Sequence, residues 1–170
     1  LWRDLRPLDA VRRPWTVHAG AKPPMDARKA IQSQYLSALA MLKQAIVKCP
    51  PSLWDSPRDK NRFWFTAYHA LYYAHLYLQP TRKDFVRWKG HGKPATTAPL
   101  SKDEVLQYLA HVEQQIARWI PVTDLTAASG FQELHVDKLE LQIVSIRHIQ
   151  HHTGELYERL GARSNAKLSW

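Results

Sequence analysis

Arg147-His148-Ile149-Gln150-His151-His152-Thr153-Gly154-Glu155-Leu156 lies near the end of a long amphipathic stretch. Leu141, Val144, His148 and His152 recur at three-to-four spacing, as residues on one helical face do. Side chains four apart on a helix stand one turn above each other, with Cβ atoms about 5–6 Å apart. Two imidazoles at that separation can grip one metal ion. On this reading His148 and His152 replace apolar residues on the stripe that points into the protein. Histidines on such a face also serve as hydrogen-bonded core residues. The spacing alone therefore leaves both roles open.

The rest of the chain reads as three more helices. The first is expected over about Asp26 to Lys48, with Asp26 as N-cap and Pro50-Pro51 as the stop. Its Ile31, Tyr35, Leu39, Leu42 and Ile46 form an apolar stripe. After a polar loop, the second runs from about Asn61 to Leu78 and ends before Pro80. Apolar and aromatic residues surround it on nearly all sides, so it is expected to be the most buried. Residues 80–100 make the longest loop, a length that in a compact domain often serves function. Ser101-Lys102-Asp103-Glu104 opens the third helix as a capping box, and the helix stops near Pro121. The fourth is expected over Val136 to Leu160, with Gly161 just past its end. Four amphipathic helices without credible strands predict an all-α four-helix bundle with long inter-helix loops. The domain spans 25–162, followed by a polar, frayed tail over 163–170. Residues 1–24 read as an extension outside the domain, holding four prolines and no sustained periodicity.

Composition narrows the class. Hydrophobic content is 45%, which argues for a globular domain over a disordered chain. Cys49 is the only cysteine, which excludes internal disulfides and cysteine-rich zinc modules, and its place before Pro50 suggests a buried structural thiol. No apolar run approaches the roughly 20 residues that span a bilayer, and no charged-then-apolar leader is present, so a cytoplasmic location is expected. The formal net charge is +9, with a basic cluster at Arg82, Lys83, Arg87, Lys89 and Lys93. No recognition-helix or RNA-module motif accompanies it, so this reads as a solvated basic loop and nucleic acid is not the expected partner.

His69 adds to the histidine pair. It stands mid-helix in Ala67-Tyr68-His69-Ala70-Leu71-Tyr72-Tyr73, among aromatic and apolar neighbours. A histidine buried there needs partners for both ring nitrogens. A metal on one and an acceptor on the other would supply them. His75 lies six residues on, roughly 120° round the helix, so it is not expected to face the same point and reads as a surface or edge residue.

These segments, Phe63-Trp64-Phe65-Thr66-Ala67-Tyr68-His69-Ala70-Leu71-Tyr72-Tyr73, Ser129-Gly130-Phe131 and Ile146 through Leu156, resemble the DinB-like superfamily of metal-binding four-helix bundles over about residues 26–160. The resemblance implies one ligand from the second helix and two, four apart, from the fourth: His69, His148 and His152. It implies that His151 is the non-ligating histidine often found beside the last ligand. Gly154 is read as allowing close approach of a neighbouring helix. Family members include thiol-dependent S-transferases and a thiol-dependent isomerase. The resemblance thus implies a small-molecule substrate, a low-molecular-weight thiol among them.

Three neutral histidines would leave a divalent ion's charge uncompensated, favouring an anionic fourth ligand. Water or a thiol bound there would lose its proton near neutral pH. Zn²⁺ or Ni²⁺ suits the set best, with Fe²⁺, Co²⁺ and Mn²⁺ open. Tyr72 and Tyr73, one turn from His69, either line the pocket or only pack. Ser145, three residues before His148, either faces the cavity or bonds back to a helical carbonyl. Glu155 and Arg147 have no task beyond surface or inter-helix pairing. Three functions compete: a metal-dependent transferase or hydrolase, a stress-related bundle that binds metal or small ligands without turnover, and a basic dimeric module whose histidines fill polar gaps. A homodimer is compatible with any of them.

Overall fold

Asp26 starts the first helix, its carboxylate accepting from the Arg28 amide at 3.1 Å, and α1 runs over Ala27–Lys48. Proline then acts twice. Pro50 and Pro51 end α1, and Pro51 opens a single turn, α2 (Pro51–Trp54), because its missing N–H costs nothing at a first helical position. The expected loop over 50–60 therefore holds a short helix. The other helices are α3 (Phe63–Tyr77), α4 (Lys102–Trp119), with the Ser101–Glu104 capping box formed in both directions, and α5 (Lys138–Arg163). This computed structural model describes residues 26–90, 98–164 and 166–169. The extension 1–24, Met25 and Lys93 lie outside the described residues. Among the described residues the protein is all-α, with no strand, and no helix is long and apolar enough to cross a membrane.

α5 packs against α1 and α3, and α4 packs against the same two. The hydrogen bonds and ring contacts give the directions. Tyr35 meets Gln142 and Met41 meets Tyr157, so α1 and α5 run parallel. Gln142 meets the Tyr77 carbonyl while His69 meets His148 and His152, so α3 and α5 are antiparallel. Tyr68 meets Tyr108 and His75 meets His111, so α3 and α4 run parallel. Parallel neighbours need a connection that returns along their whole length, which explains the long segment between Leu78 and Ser101. It includes two short 3₁₀ turns, Arg82–Asp84 and Trp88–Gly90, and Trp88 stacks on Tyr108 with ring centroids 4.8 Å apart.

Two readings of the last helix are corrected. Gly161 does not end it: the helix continues to Arg163, and Ser164 caps it with its amide on the Leu160 carbonyl. Gly154 faces open space, since a Cβ there would meet no atom within 4 Å, so it admits no neighbouring helix. The tail is not frayed throughout. Leu168 packs on the core, and the Ser169 amide donates to Gln44 at 2.8 Å. Cys49 is buried, and burial pushes its thiol up to about 12, which fits a structural role.

Gly130 is the residue of Ser129-Gly130-Phe131 that needs to be glycine. It has φ +80°, and a Cβ would run into the Pro80 carbonyl oxygen. That same carbonyl accepts from the buried Lys138 ammonium at 2.8 Å, and Gln79 offers a second at 3.0 Å. The positive charge thus sits at the C-terminal end of α3, where the helix dipole favours it. Phe131 is buried against Tyr77 beneath it. Gly130→Ala is expected to destabilise the fold by about 1–3 kcal/mol from backbone strain, with the clash adding to that. A urea unfolding midpoint equal to that of the parent protein would contradict this account.

Candidate metal centre

α3 is buried nearly all round, as its composition predicts, except for one stripe. Phe65, His69, Tyr73 and Tyr77 repeat every four residues and are only half-buried. α5 lies along that stripe, but its central buried residues are Ser145, Ile149, Thr153 and Leu156. His148 and His152 flank this line on the α3 side and are half-buried, so they do not occupy the middle of the inward stripe. The reason is rotation. α5 turns Ile149 and Thr153 into the core and leaves the histidines at the seam, where solvent has access.

The three imidazoles converge at that seam. Ring centroids are 5.1 Å apart for His69 and His148, 4.7 Å for His69 and His152, and 4.5 Å for His148 and His152. One ring nitrogen from each lies within 4.8 Å of the others, so the set could hold a metal ion. Nitrogens around a tetrahedral ion at about 2.1 Å stand about 3.4 Å apart. Small rotations of the rings close that difference. The Nε2 atom of His148 is buried and has no hydrogen-bond partner. An unpaired buried nitrogen costs free energy unless something occupies its lone pair or its proton.

Burial keeps two of the three rings neutral. Burial, followed by the neighbouring His152, lowers His69 to about 4. Burial, followed by the surrounding histidines, lowers His148 to about 4 as well. Both rings are therefore neutral at pH 7, the form that coordinates metal.

Glu155 joins the histidine cluster, a placement that the sequence alone does not give. Its Oε2 lies 2.8 Å from His152 Nδ1, and its Oε1 lies 3.4 Å from His151 Nε2. Burial tends to raise its carboxyl, yet the bond to His152 and the nearby His151 and Arg159 hold it below its ordinary value. The ionised carboxylate holds the His152 proton on Nδ1, which leaves Nε2 with its lone pair. This is the carboxylate–histidine arrangement that orients metal ligands. The sequence shows only a histidine and a glutamate three apart on one helix.

The remaining expectations divide. Tyr73 lines the site, its ring 4.8 Å from His69 and 5.3 Å from His148. Tyr72 turns away to pack on Tyr68 and Phe85. Ser145 lies on the buried stripe beside Tyr35, and its hydroxyl makes no hydrogen bond of ordinary geometry, so the back-bond to a carbonyl is not made. His151 is exposed and pairs with Glu155. His75 is not a surface residue. It is 4% exposed, with Nδ1 3.2 Å from the Tyr108 hydroxyl and its ring against Phe85 and His111. α4 and the crossover segment cover it, a placement that helical periodicity does not encode. A cavity of about 210 Å³ lies near the start of α5, lined by Trp119, Ile120, Lys138 and Gln142 among others. It lacks a metal-ligating cluster, so the α3–α5 seam is the better candidate.

Comparison of the chain with protein-family models, with curated proteins and with solved structures gave no match. The site therefore rests on its own geometry. His69, His75 and His148 all have folded-state values near 4, below the ordinary value of 6.5. The unfolded chain thus binds protons that the folded chain refuses between those values, and stability is lost as pH falls. Metal-free protein should keep a constant urea midpoint above pH 6.5 and lose stability steadily from there to pH 4. A profile flat across that window would show that these rings are not held neutral.

Proposed function

We propose that the chain is a four-helix bundle of the DinB-like type, that His69, His148 and His152 hold one divalent metal ion, and that the site activates a thiol or a water for an S-transfer or hydrolytic reaction. The observation that carries the proposal is the buried, unpartnered Nε2 of His148 within a set of three converging imidazoles. Zn²⁺ or Ni²⁺ suits three nitrogen donors best, and Fe²⁺, Co²⁺ and Mn²⁺ follow. Such an ion, when bound, supplies Lewis acidity that lowers the pKa of a coordinated water or thiol to near neutrality.

The chain's own groups do the rest. Glu155 fixes the tautomer and orientation of His152 through Nδ1. Phe65, which stacks on the His69 ring at 6.2 Å, and Tyr73 form an aromatic wall on one side of the site. Arg147, His148, His151 and Val144 line a groove on the other side, through which a small substrate can approach. An exposed arginine beside three neutral ligands favours a substrate with negative charge.

Purified protein is expected to bind one equivalent of Zn²⁺ or Ni²⁺. His148→Ala should abolish stoichiometric binding, and Glu155→Gln should weaken it about 10–100-fold. Elemental analysis and titration with a competing chelator measure both. Protein that holds no stoichiometric metal, with His148→Ala leaving stability unchanged, would refute the proposal. Turnover of a low-molecular-weight thiol with an electrophile distinguishes an enzyme from a bundle that binds metal without catalysis.

A further inference from the structure

We infer that α5 carries an outer metal-capture set, formed by His151, Glu155 and His152, which loads the inner triad through the His152 ring that the two sets share. The inference rests on the reading of His69, His148 and His152 as ligands. One donor atom each from His151, His152 and Glu155 lies within 4.8 Å of the others, the same closeness as in the triad. Two imidazoles and a carboxylate suit the same borderline divalent ions.

Exposure is graded across this set. The side chain is 16% exposed at His152, 40% at Glu155 and 67% at His151. The donors thus run from the solvent surface of α5 to the seam. An ion reaching the triad directly would shed its hydration shell into a half-buried seam whose three ligands carry no charge. It would also approach a protein of net charge +9, with Arg147 and Arg159 on the same helix. Among the described residues, Glu155 is the one carboxylate paired with both His151 and His152. It offsets the repulsion at that point, and its oxygens replace water ligands before the ion moves inward.

The proton balance closes. While the outer set holds the ion, His152 coordinates through Nδ1 and its single proton sits on Nε2. Once the triad holds it, His152 coordinates through Nε2 and the proton returns to Nδ1, where Glu155 accepts it at the observed 2.8 Å. Water carries the proton between the two nitrogens, and transfer between the sets neither releases nor consumes one.

The test is the rate of Zn²⁺ uptake by the metal-free full-length chain, followed by stopped flow with a chromogenic chelator as the zinc donor. His151 is exposed, so His151→Ala leaves the core untouched. It should slow uptake at least about tenfold, a loss within the range of electrostatic and capture effects on association. The equilibrium affinity of the single tight site should change little, and His151→Glu, which keeps a donor, should restore most of the rate. Uptake by His151→Ala at the parent rate would overturn the inference. So would an affinity that falls while the uptake rate holds, since that makes His151 an ordinary ligand. One tight equivalent with unaltered kinetics removes the capture set and leaves the triad standing. No tight equivalent in the parent chain removes both.

Discussion

The register between α3 and α5 is the constraint on which the site depends, and buried Gln142 holds it. Its Oε1 accepts from the Tyr35 hydroxyl at 2.7 Å, and its amide donates to the Tyr77 carbonyl at 3.2 Å. One side chain thus ties α5 to both neighbours. Because α3 and α5 are antiparallel with equal rise per residue, each step back from Tyr77 meets a step forward from Gln142. Eight steps, about 12 Å, bring His69 opposite position 150, midway between His148 and His152. A slip of a turn would carry His69 away from both. Buried amide groups left without partners are costly, so Gln142 penalises such a slip.

Much of this was legible in the sequence. Asp26 and Ser101 mark their helices because short polar side chains cap exposed amides, and both do so. The histidine spacing on α5 and the mid-helix position of His69 point to the three residues that meet. Helix direction and rotation were less accessible. Periodicity defines a face but not which neighbour that face meets, so His148 and His152 were placed at the centre of the buried stripe when they sit at its edge. The burial of His75 escapes periodicity for the same reason, since its cover comes from α4 and from a segment with no helical pattern. Gly154 and Gly161 were given structural tasks that their surroundings do not require. Glu155 carries no signal of its own, because a glutamate three residues from a histidine is ordinary on any helix and only the direction of the imidazole gives it meaning.

The edge position of the triad has chemical value. A histidine set in the middle of the core would be neutral and well held but closed to substrate. Fully exposed, the rings would titrate near their ordinary value and compete with solvent. At the seam, burial depresses His69 and His148 while the α5 flank stays open. The half-buried aromatic stripe of α3 borders one side of the seam, and the charged flank of α5 borders the other.

The parallel pairing of α1 with α5 and the seam between α3 and α5 both reach across long stretches of chain. His69 and His148 are separated by about eighty residues, and two of the three imidazoles lie on the last helix, so closing the site carries the entropy of a long loop. During synthesis, a chain that has emerged only as far as α4 holds one ring of the triad, His69. The three rings come together only where α5 packs beside α3. An ion held by all three rings would therefore favour the docked arrangement of α3 and α5 over the undocked one.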